Sequence, residues 1–322
     1  LNLWVSRSGG SLHYSDSGSR RIAAGSPRAP DSDLPGLFRE FEADCRRARK
    51  RPVYFGLPGP ALASLDATGL RGRWHAGDVP IFSLDAWRDS AAIPASVRAQ
   101  VRRARNQGVT VRWLAAPPEP GDPVGPALRD CLHSWLRAKP LPPMSFVTTP
   151  FLMDPWPAGG VLVAEHEGRI TGFLVGSTAL LPGLYRVDAV ARAATAPNGC
   201  AELLVSEAFR YAGVAGFERA TLGLAPLSRR SNEALGPRGH WMDRVAEFVR
   251  EAGIPGYSFG GLEAFKAKFE PQQWLPAFCV SGGGALSAGD MTAIARAFAG
   301  GTLGGYVYRS LRWVLGRRAL TV

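Results

Sequence analysis

Apolar residues recur at every third or fourth position in several stretches, with short β-rich runs between them, so the chain reads as alternating helices and strands. Leu37, Phe38, Phe41 and Cys45 share one face of a helix expected over Leu34–Arg49. Pro52–Gly56 (PVYFG) reads as a short strand and Pro60–Thr68 as a second helix. Gly69–Leu84 is expected to form a β-hairpin turning at Ala76-Gly77-Asp78. In Pro94–Gly108 a narrow stripe of Val97, Val101 and Ala104 predicts a helix, stopped by Asn106-Gln107-Gly108. Leu128, Leu132, Trp135 and Leu136 face inward on another over Pro126–Ala138. Val161–Glu165 and Ile170–Thr178 read as a hairpin turning at Glu167-Gly168-Arg169. Residues 1–34, rich in Ser, Gly and Arg, are weakly specified strands and loops.

The stretch from Leu184 to Ser228 organises the rest. A β-rich run, Leu184–Val190, carries one acid, Asp188, and is followed by the turn Ala196-Pro197-Asn198-Gly199. Leu203, Leu204, Ala208, Tyr211 and Ala212 then mark a helix of about four turns with Glu202 in its first turn, where an acid suits the positive end of the helix dipole. Phe217–Leu224 reads as a buried strand closed by Ala225-Pro226-Leu227-Ser228. A strand, a glycine turn and a helix N-terminus leave backbone N–H groups pointing out of the turn, which suits an anion or polar group. The fold class is α/β (α+β), with a domain boundary at the Pro-rich linker Ala115–Gly125. That divides the chain into residues 1–115, linker 116–125, a second domain 126–301 and a tail 302–322. Pro140–Pro157, with Met144, Phe146, Phe151 and Trp156, is an apolar loop fit either to wall a pocket or to cover a sheet edge.

Composition adds a direction. The 322 residues are 46% hydrophobic, enough for a substantial core, and the formal charge of +11 favours polyanionic partners. Cys45, Cys131, Cys200 and Cys279 are far apart and lack CxxC or His spacing, which argues against zinc and disulfides and for a reducing cytoplasm. No run of 18 apolar residues and no signal-peptide pattern occurs. The charge is concentrated. Arg98, Arg102, Arg103 and Arg105 decorate the 94–108 helix, and no acid stands between Asp89 and Glu119. Planar guanidinium forks on one short helix suit phosphate groups, against the alternative of a plain solvated face. Residues 302–322 also lack acids and place Leu303, Val307, Leu311, Val314 and Leu315 at roughly helical spacing beside four arginines. Such a tail can lie on an anionic membrane surface or pack on the last domain.

The order β-hairpin, β, glycine turn, α, β, α, β is similar to that of the GNAT (acyl-CoA N-acyltransferase-like) fold. There the turn before the helix reads Gln/Arg-x-x-Gly-x-Gly/Ala and grips pyrophosphate; here the matching positions are Ala196, Gly199 and Ala201, without the first polar residue. Three patches together resemble one family more closely: Ala196-Pro197-Asn198-Gly199, Leu222-Gly223-Leu224-Ala225-Pro226-Leu227-Ser228, and Gly261–Pro271 with Trp274. They resemble the C-terminal catalytic domain of aminoacyl-phosphatidylglycerol synthases, in the form found without a membrane flippase half in the DUF2156 group. The resemblance runs from about residue 50 to the end.

It implies two tandem GNAT-like domains with a basic helix near their junction. It also implies transfer of an aminoacyl group from aminoacyl-tRNA to a hydroxyl of an anionic lipid such as phosphatidylglycerol, or of a small metabolite, with no metal or other cofactor. Such a site needs a group to take the hydroxyl proton and donors for the oxyanion. Asp188 is the candidate to orient or deprotonate the nucleophile or to hold the donor's α-ammonium. Where the family carries two arginines after this acid, the chain has Ala191 and Arg192, so only Arg192 is carried over. Lys266 or Lys268 is expected to stabilise the oxyanion or a phosphate; in a strand they share a face, in a helix they diverge. Asn198, Gly199 and Ser228 are expected to line the same pocket, and Glu165 to supply a second acid. Arg98, Arg102, Arg103 and Arg105 are the expected tRNA contacts. Competing readings are a coenzyme A-dependent acetyltransferase and a non-catalytic module that binds tRNA or membrane. The expected place is the cytoplasm, at the inner membrane face if the tail binds lipid.

Overall fold

The computed structural model describes residues 2–66, 72–87, 93–138, 156–157, 159–178, 183–231, 243–244, 247, 258–282, 284–300 and 304–305. Among them one mixed sheet of 12 strands runs through the molecule, flanked by helices. In chain order the strands are β1 (Asn2–Val5), β2 (Ser11–Ser17), β3 (Arg20–Arg28), β4 (Arg51–Pro58), β5 (Gly72–Ser83), β6 (Thr110–Leu114), β7 (Val161–His166), β8 (Arg169–Thr178), β9 (Leu184–Arg192), β10 (Arg219–Thr221), β11 (Ala225–Pro226) and β12 (Gln273–Ser281). The helices are α1 (Leu34–Arg47), α2 (Gly59–Asp66), α3 (Ala95–Asn106), α4 (Val124–Ala138), α5 (Cys200–Val214), α6 (Phe259–Ala267) and α7 (Ala288–Ala299).

The strand order β1-β2-β3-β4-β12-β5-β10-β9-β8-β7-β6 contains an internal repeat. In each half an antiparallel meander (β1-β2-β3, or β7-β8-β9) leads through a crossover helix (α1 or α5) to a parallel neighbour (β4 or β10). The last strand of each half then crosses to the other. β5 pairs with β10, and β12 pairs with β4, while β5 and β12 pair with each other at the centre. This is a tandem GNAT-like arrangement in a mixed α/β protein. Strand β6 pairs with β7, so the chain on either side of the Pro-rich stretch meets in one ladder.

Alternation along the strands explains the layers, because successive side chains point to opposite faces. On β7, Leu162 and Ala164 join the cluster under α3 and α5, whereas Val161 and Val163 face α4 with Leu128 and Leu132. Both faces are thus buried, and each fully buried Leu or Phe contributes about 1.5–3 kcal/mol. Phe209 of α5 anchors the first layer, with its ring 4.9 Å from Trp87 and 5.1 Å from Phe82. The hairpin at Glu167-Gly168 forms as expected, with φ of 52° and 71°.

The expected hairpin over Gly69–Leu84 does not form: β5 is one strand from Gly72 to Ser83. Gly77 adopts φ 145°, and a Cβ there would lie 2.2 Å from the Ala225 carbonyl, so the glycine admits β11 rather than turning the chain. Pairing with β12 on one side and β10 and β11 on the other keeps the strand continuous, with an irregularity at Ala76. The expected strand Phe217–Leu224 shortens to Arg219–Thr221.

Candidate active site

Strands β9 and β10 run parallel for three residue pairs, Leu184–Arg186 against Arg219–Thr221, and then part. β10 ends, and the chain crosses through 222–224 to β11, which joins β5 at Gly77 and Asp78. At the parting point β9 is bulged: its register with β8 passes from Val187↔Gly176 to Ala189↔Val175, leaving Asp188 as the extra residue. A bulge turns its side chain out of the pleat, a device common beside active sites. Asp188 Oδ1 accepts from Arg186 Nε at 2.6 Å; both side chains are partly buried, 22% and 30% exposed. Among the described residues Asp188 Oδ2 and the terminal nitrogens of Arg186 carry no hydrogen bond. A carboxylate oxygen and a guanidinium edge on the strand that parts from β10 are therefore without a partner there. In the other half the equivalent strands part after Ala24 and Phe55 and continue as Gly-Ser-Pro and Gly-Leu-Pro. Only the second split places an acid within two residues of its last parallel pair.

The opposite wall, 222–224, is held by Lys266. The Phe265–Phe269 stretch is the end of α6, so the two lysines diverge. Lys266 is 5% exposed and donates to the carbonyls of Gly223 and Leu224 at 2.8 and 2.7 Å. Burial lowers its pKa from the usual lysine value to about 7, while the two carbonyls oppose that fall by satisfying ammonium hydrogens. Lys268 instead bonds Glu202 Oε1 at 2.5 Å, joining α6 to the first turn of α5. Its ammonium also lies 5.3 Å from the Phe265 ring. Gly223, at φ 71°, brings the wall near β9, since a Cβ there would come 4.0 Å from the Val187 carbonyl.

The remaining expected residues fall in different places. Arg192 ends β9, exposed, and acts on Cys200 across the turn. Burial raises the Cys200 thiol to about 11, so it is a packed thiol rather than a reactive thiolate. Asn198 is exposed beside Gly199, whose φ is 87°. Gly199 is closed off by α3: a Cβ there would lie 2.1 Å from the Gln100 carbonyl. Ser228 is fully buried, its hydroxyl donating to Asp78 Oδ2 at 2.9 Å, so it braces the wall instead of lining a pocket. Glu165 pairs with Arg112 at 2.9 Å on the outer ladder, two strands or about 10 Å from β9. On α3, Arg98 bonds the Ile93 carbonyl at 2.8 Å and Arg105 pairs with Glu207 of α5 at 2.6 Å. Arg102 and Arg103 are exposed, without ion pairs among the described residues. The 302–322 tail lies outside the described residues apart from 304–305, and so does most of the apolar loop Pro140–Pro157.

Sequence reasoning missed Arg186, Glu202 and Asp78 as site residues. Asp78 is fully buried and accepts from His75 Nε2 (2.8 Å), Ser228 Oγ (2.9 Å), Ser231 Oγ (2.7 Å) and the Arg230 N–H (2.6 Å). Burial alone would raise its pKa, but these bonds outweigh that and hold it below the usual carboxylate value. Among the described residues no group of three or more His, Cys, Asp or Glu is placed to hold a metal. None of the helices there is long and apolar enough to cross a membrane.

A family model described as phosphatidylglycerol lysyltransferase, C-terminal, matches residues 2–281. The chain belongs to that family. The phosphatidylglycerol lysyltransferase of Bacillus subtilis (strain 168) is 31% identical over 106 residues, which are 33% of this chain and only 12% of that protein. Two of the solved structures that share the fold are similar over most of the chain. The C-terminal (DUF2156) domain of a lysylphosphatidylglycerol synthetase from Agrobacterium fabrum matches with TM-score 0.72 and 23% identity, covering 94% of this chain and 90% of that one. L-PGS from Bacillus licheniformis matches with TM-score 0.69 and 20% identity, covering 92% and 87%. The family match and both structures span the two halves of the sheet, so the strand exchange at β5 and β12 lies within the shared fold.

Proposed function

We propose that this phosphatidylglycerol lysyltransferase-family chain moves an aminoacyl group from aminoacyl-tRNA to a hydroxyl of an anionic phospholipid, with phosphatidylglycerol as the acceptor. The observation that carries the reading is Asp188, bulged out of β9 at the split with one carboxylate oxygen unengaged. In the reaction the lipid hydroxyl oxygen attacks the ester carbonyl carbon, and the bond to the ribose oxygen of tRNA breaks. The hydroxyl proton passes by way of the Asp188 carboxylate to that ribose oxygen, so charge and atoms balance. Arg186, anchored on Asp188 through Nε, offers its terminal nitrogens to the developing oxyanion. Lys266 holds the opposite wall, Lys268 with Glu202 fixes the start of α5, and Arg192 and Asn198 are exposed at the end of β9 and in the turn before α5. Arg102 and Arg103 offer unpaired cations to the tRNA backbone. The closure of Gly199 by the Gln100 carbonyl favours a donor that does not lodge pyrophosphate in that turn.

The test is transfer of radiolabelled amino acid from charged tRNA into the organic phase in the presence of phosphatidylglycerol vesicles. Label should enter the lipid with the wild type and not with Asp188→Asn. Label that stays in the aqueous phase across all aminoacyl-tRNAs would sink the reading.

A further inference from the structure

A second built feature lies on the same wall. Asp78 takes five donors, four of them from the short segment 228–231. The segment's outward product is Arg230. Its backbone N–H is fixed on Asp78, its Nε lies 2.6 Å from Glu263 of α6, and its guanidinium carbon sits 5.7 Å from the Trp274 ring centre on β12. The side chain is nonetheless 47% exposed, and its terminal nitrogens bond nothing among the described residues. An exposed arginine ordinarily keeps its rotamer freedom, which is costly to remove. This one is held at the backbone, at Nε and on its plane, leaving one edge of the fork outward. Glu263 and Lys266 are one turn apart on the same face of α6, so this edge stands next to the wall that Lys266 grips.

We propose that Arg230 binds the phosphodiester of the acceptor phospholipid's headgroup, which orients the glycerol hydroxyl toward the split; this rests on the transfer reading above. A fixed guanidinium edge matches two phosphate oxygens. One cation beside a carboxylate suits a single phosphodiester charge. A tRNA backbone calls for adjacent unpaired cations, such as Arg102 and Arg103 of α3 among the described residues. Trp274 alongside suits the boundary between a headgroup and its apolar neighbours, where one part of an indole is wet and the rest is not.

The experiment measures flotation with mixed phosphatidylglycerol–phosphatidylcholine vesicles in the absence of tRNA, with glycerophosphoglycerol and inorganic phosphate as competitors. Arg230→Ala should weaken vesicle binding about tenfold, and Arg230→Lys should recover only a minor part. Arg129→Ala, an exposed change on α4, should leave binding as it is. Glycerophosphoglycerol should compete with the wild type and not with Arg230→Ala. Unchanged vesicle binding by Arg230→Ala overturns the proposal, as does full recovery by Lys or equal competition by inorganic phosphate. Loss of charged-tRNA binding with vesicle binding intact assigns Arg230 to the donor and overturns it as well. If lipid is aminoacylated with an unaltered KM in Arg230→Ala, the subsite fails and the transfer reading stands. If nothing is transferred while vesicle binding depends on Arg230, the transfer reading fails and the phosphodiester site stands.

Discussion

Gly199 at the start of α5 is seated on the Gln100 carbonyl of α3, so closely that an added Cβ would lie 2.1 Å away. With φ at 87° the position is also in the left-handed region. Gly199→Ala must therefore move the backbone of one helix and is expected to cost at least about 3 kcal/mol. Gly108, at φ 83° with nothing within 4 Å of an added Cβ, isolates the conformational part. Gly108→Ala should cost about 1–2 kcal/mol. Urea denaturation of both variants separates close packing from backbone preference.

Lys268 and Glu202 form the second test. Glu202 is 9% exposed, so Lys268→Met leaves a nearly buried carboxylate without its cation. Glu202→Gln removes that charge and leaves a lysine whose side chain, 33% exposed, can reach water. Lys268→Met alone should be the more destabilising, and the double variant should recover part of the loss. The coupling in a double-mutant cycle is expected at about 1–2 kcal/mol.

These two contacts also show what was legible in the chain. The helices at 34–47 and 200–214 and the 161–178 hairpin come from local periodicity and turn chemistry, and the structure contains them. The contacts that build the split are not local. Asp78 meets Ser228 across 150 residues and Lys268 meets Glu202 across 66. Ala76-Gly77-Asp78 carries a turn signal, yet the glycine serves the close approach of β11 and the aspartate its loop. The two lysines of Phe265–Phe269 could not be separated without knowing where the helix ends.

Lys266 ties stability to pH. Its folded pKa, about 7, lies below the unfolded value near 10.4. Between these pH values the unfolded chain holds more protons than the folded one, so this residue makes the protein more stable as pH rises from about 7 toward 10, by at most about 1.4 kcal/mol per pH unit. Lys266→Met should remove that rise while leaving the acid limb, set by carboxylates such as Asp78, in place. Urea midpoints of wild type and variant across this range check it; parallel curves would mean that Lys266 stays charged on its two carbonyls.

Asp188 and Arg186 should separate by kinetics. Asp188→Asn keeps the size of the side chain at the bulge and should leave the thermal midpoint within a few degrees, while lowering kcat by about 10²–10⁴ as expected for loss of a general base. Arg186→Lys keeps the charge but not the fork, and should lower kcat by about tenfold or more. Single-turnover transfer from charged tRNA gives both numbers. An active Asp188→Asn would remove the carboxylate from the proton path.

Arg102 and Arg103 can be distinguished from Arg105 by salt. The first two are exposed and unpaired among the described residues, whereas Arg105 already bonds Glu207 at 2.6 Å. A cation that meets phosphate releases a counterion, so each one removed should flatten the plot of log affinity against log salt by about 0.7–0.9. Arg102→Ala with Arg103→Ala should therefore weaken charged-tRNA binding most at low salt and little at high salt. Arg105→Ala should lose instead a few tenths of a kcal/mol of stability, because the Arg105 side chain is exposed and Arg210 still pairs with Glu207. Its salt slope should shift less, since its charge is already spent within the protein. If all three variants shifted the slope equally, α3 would act as a diffuse positive field rather than through individual contacts.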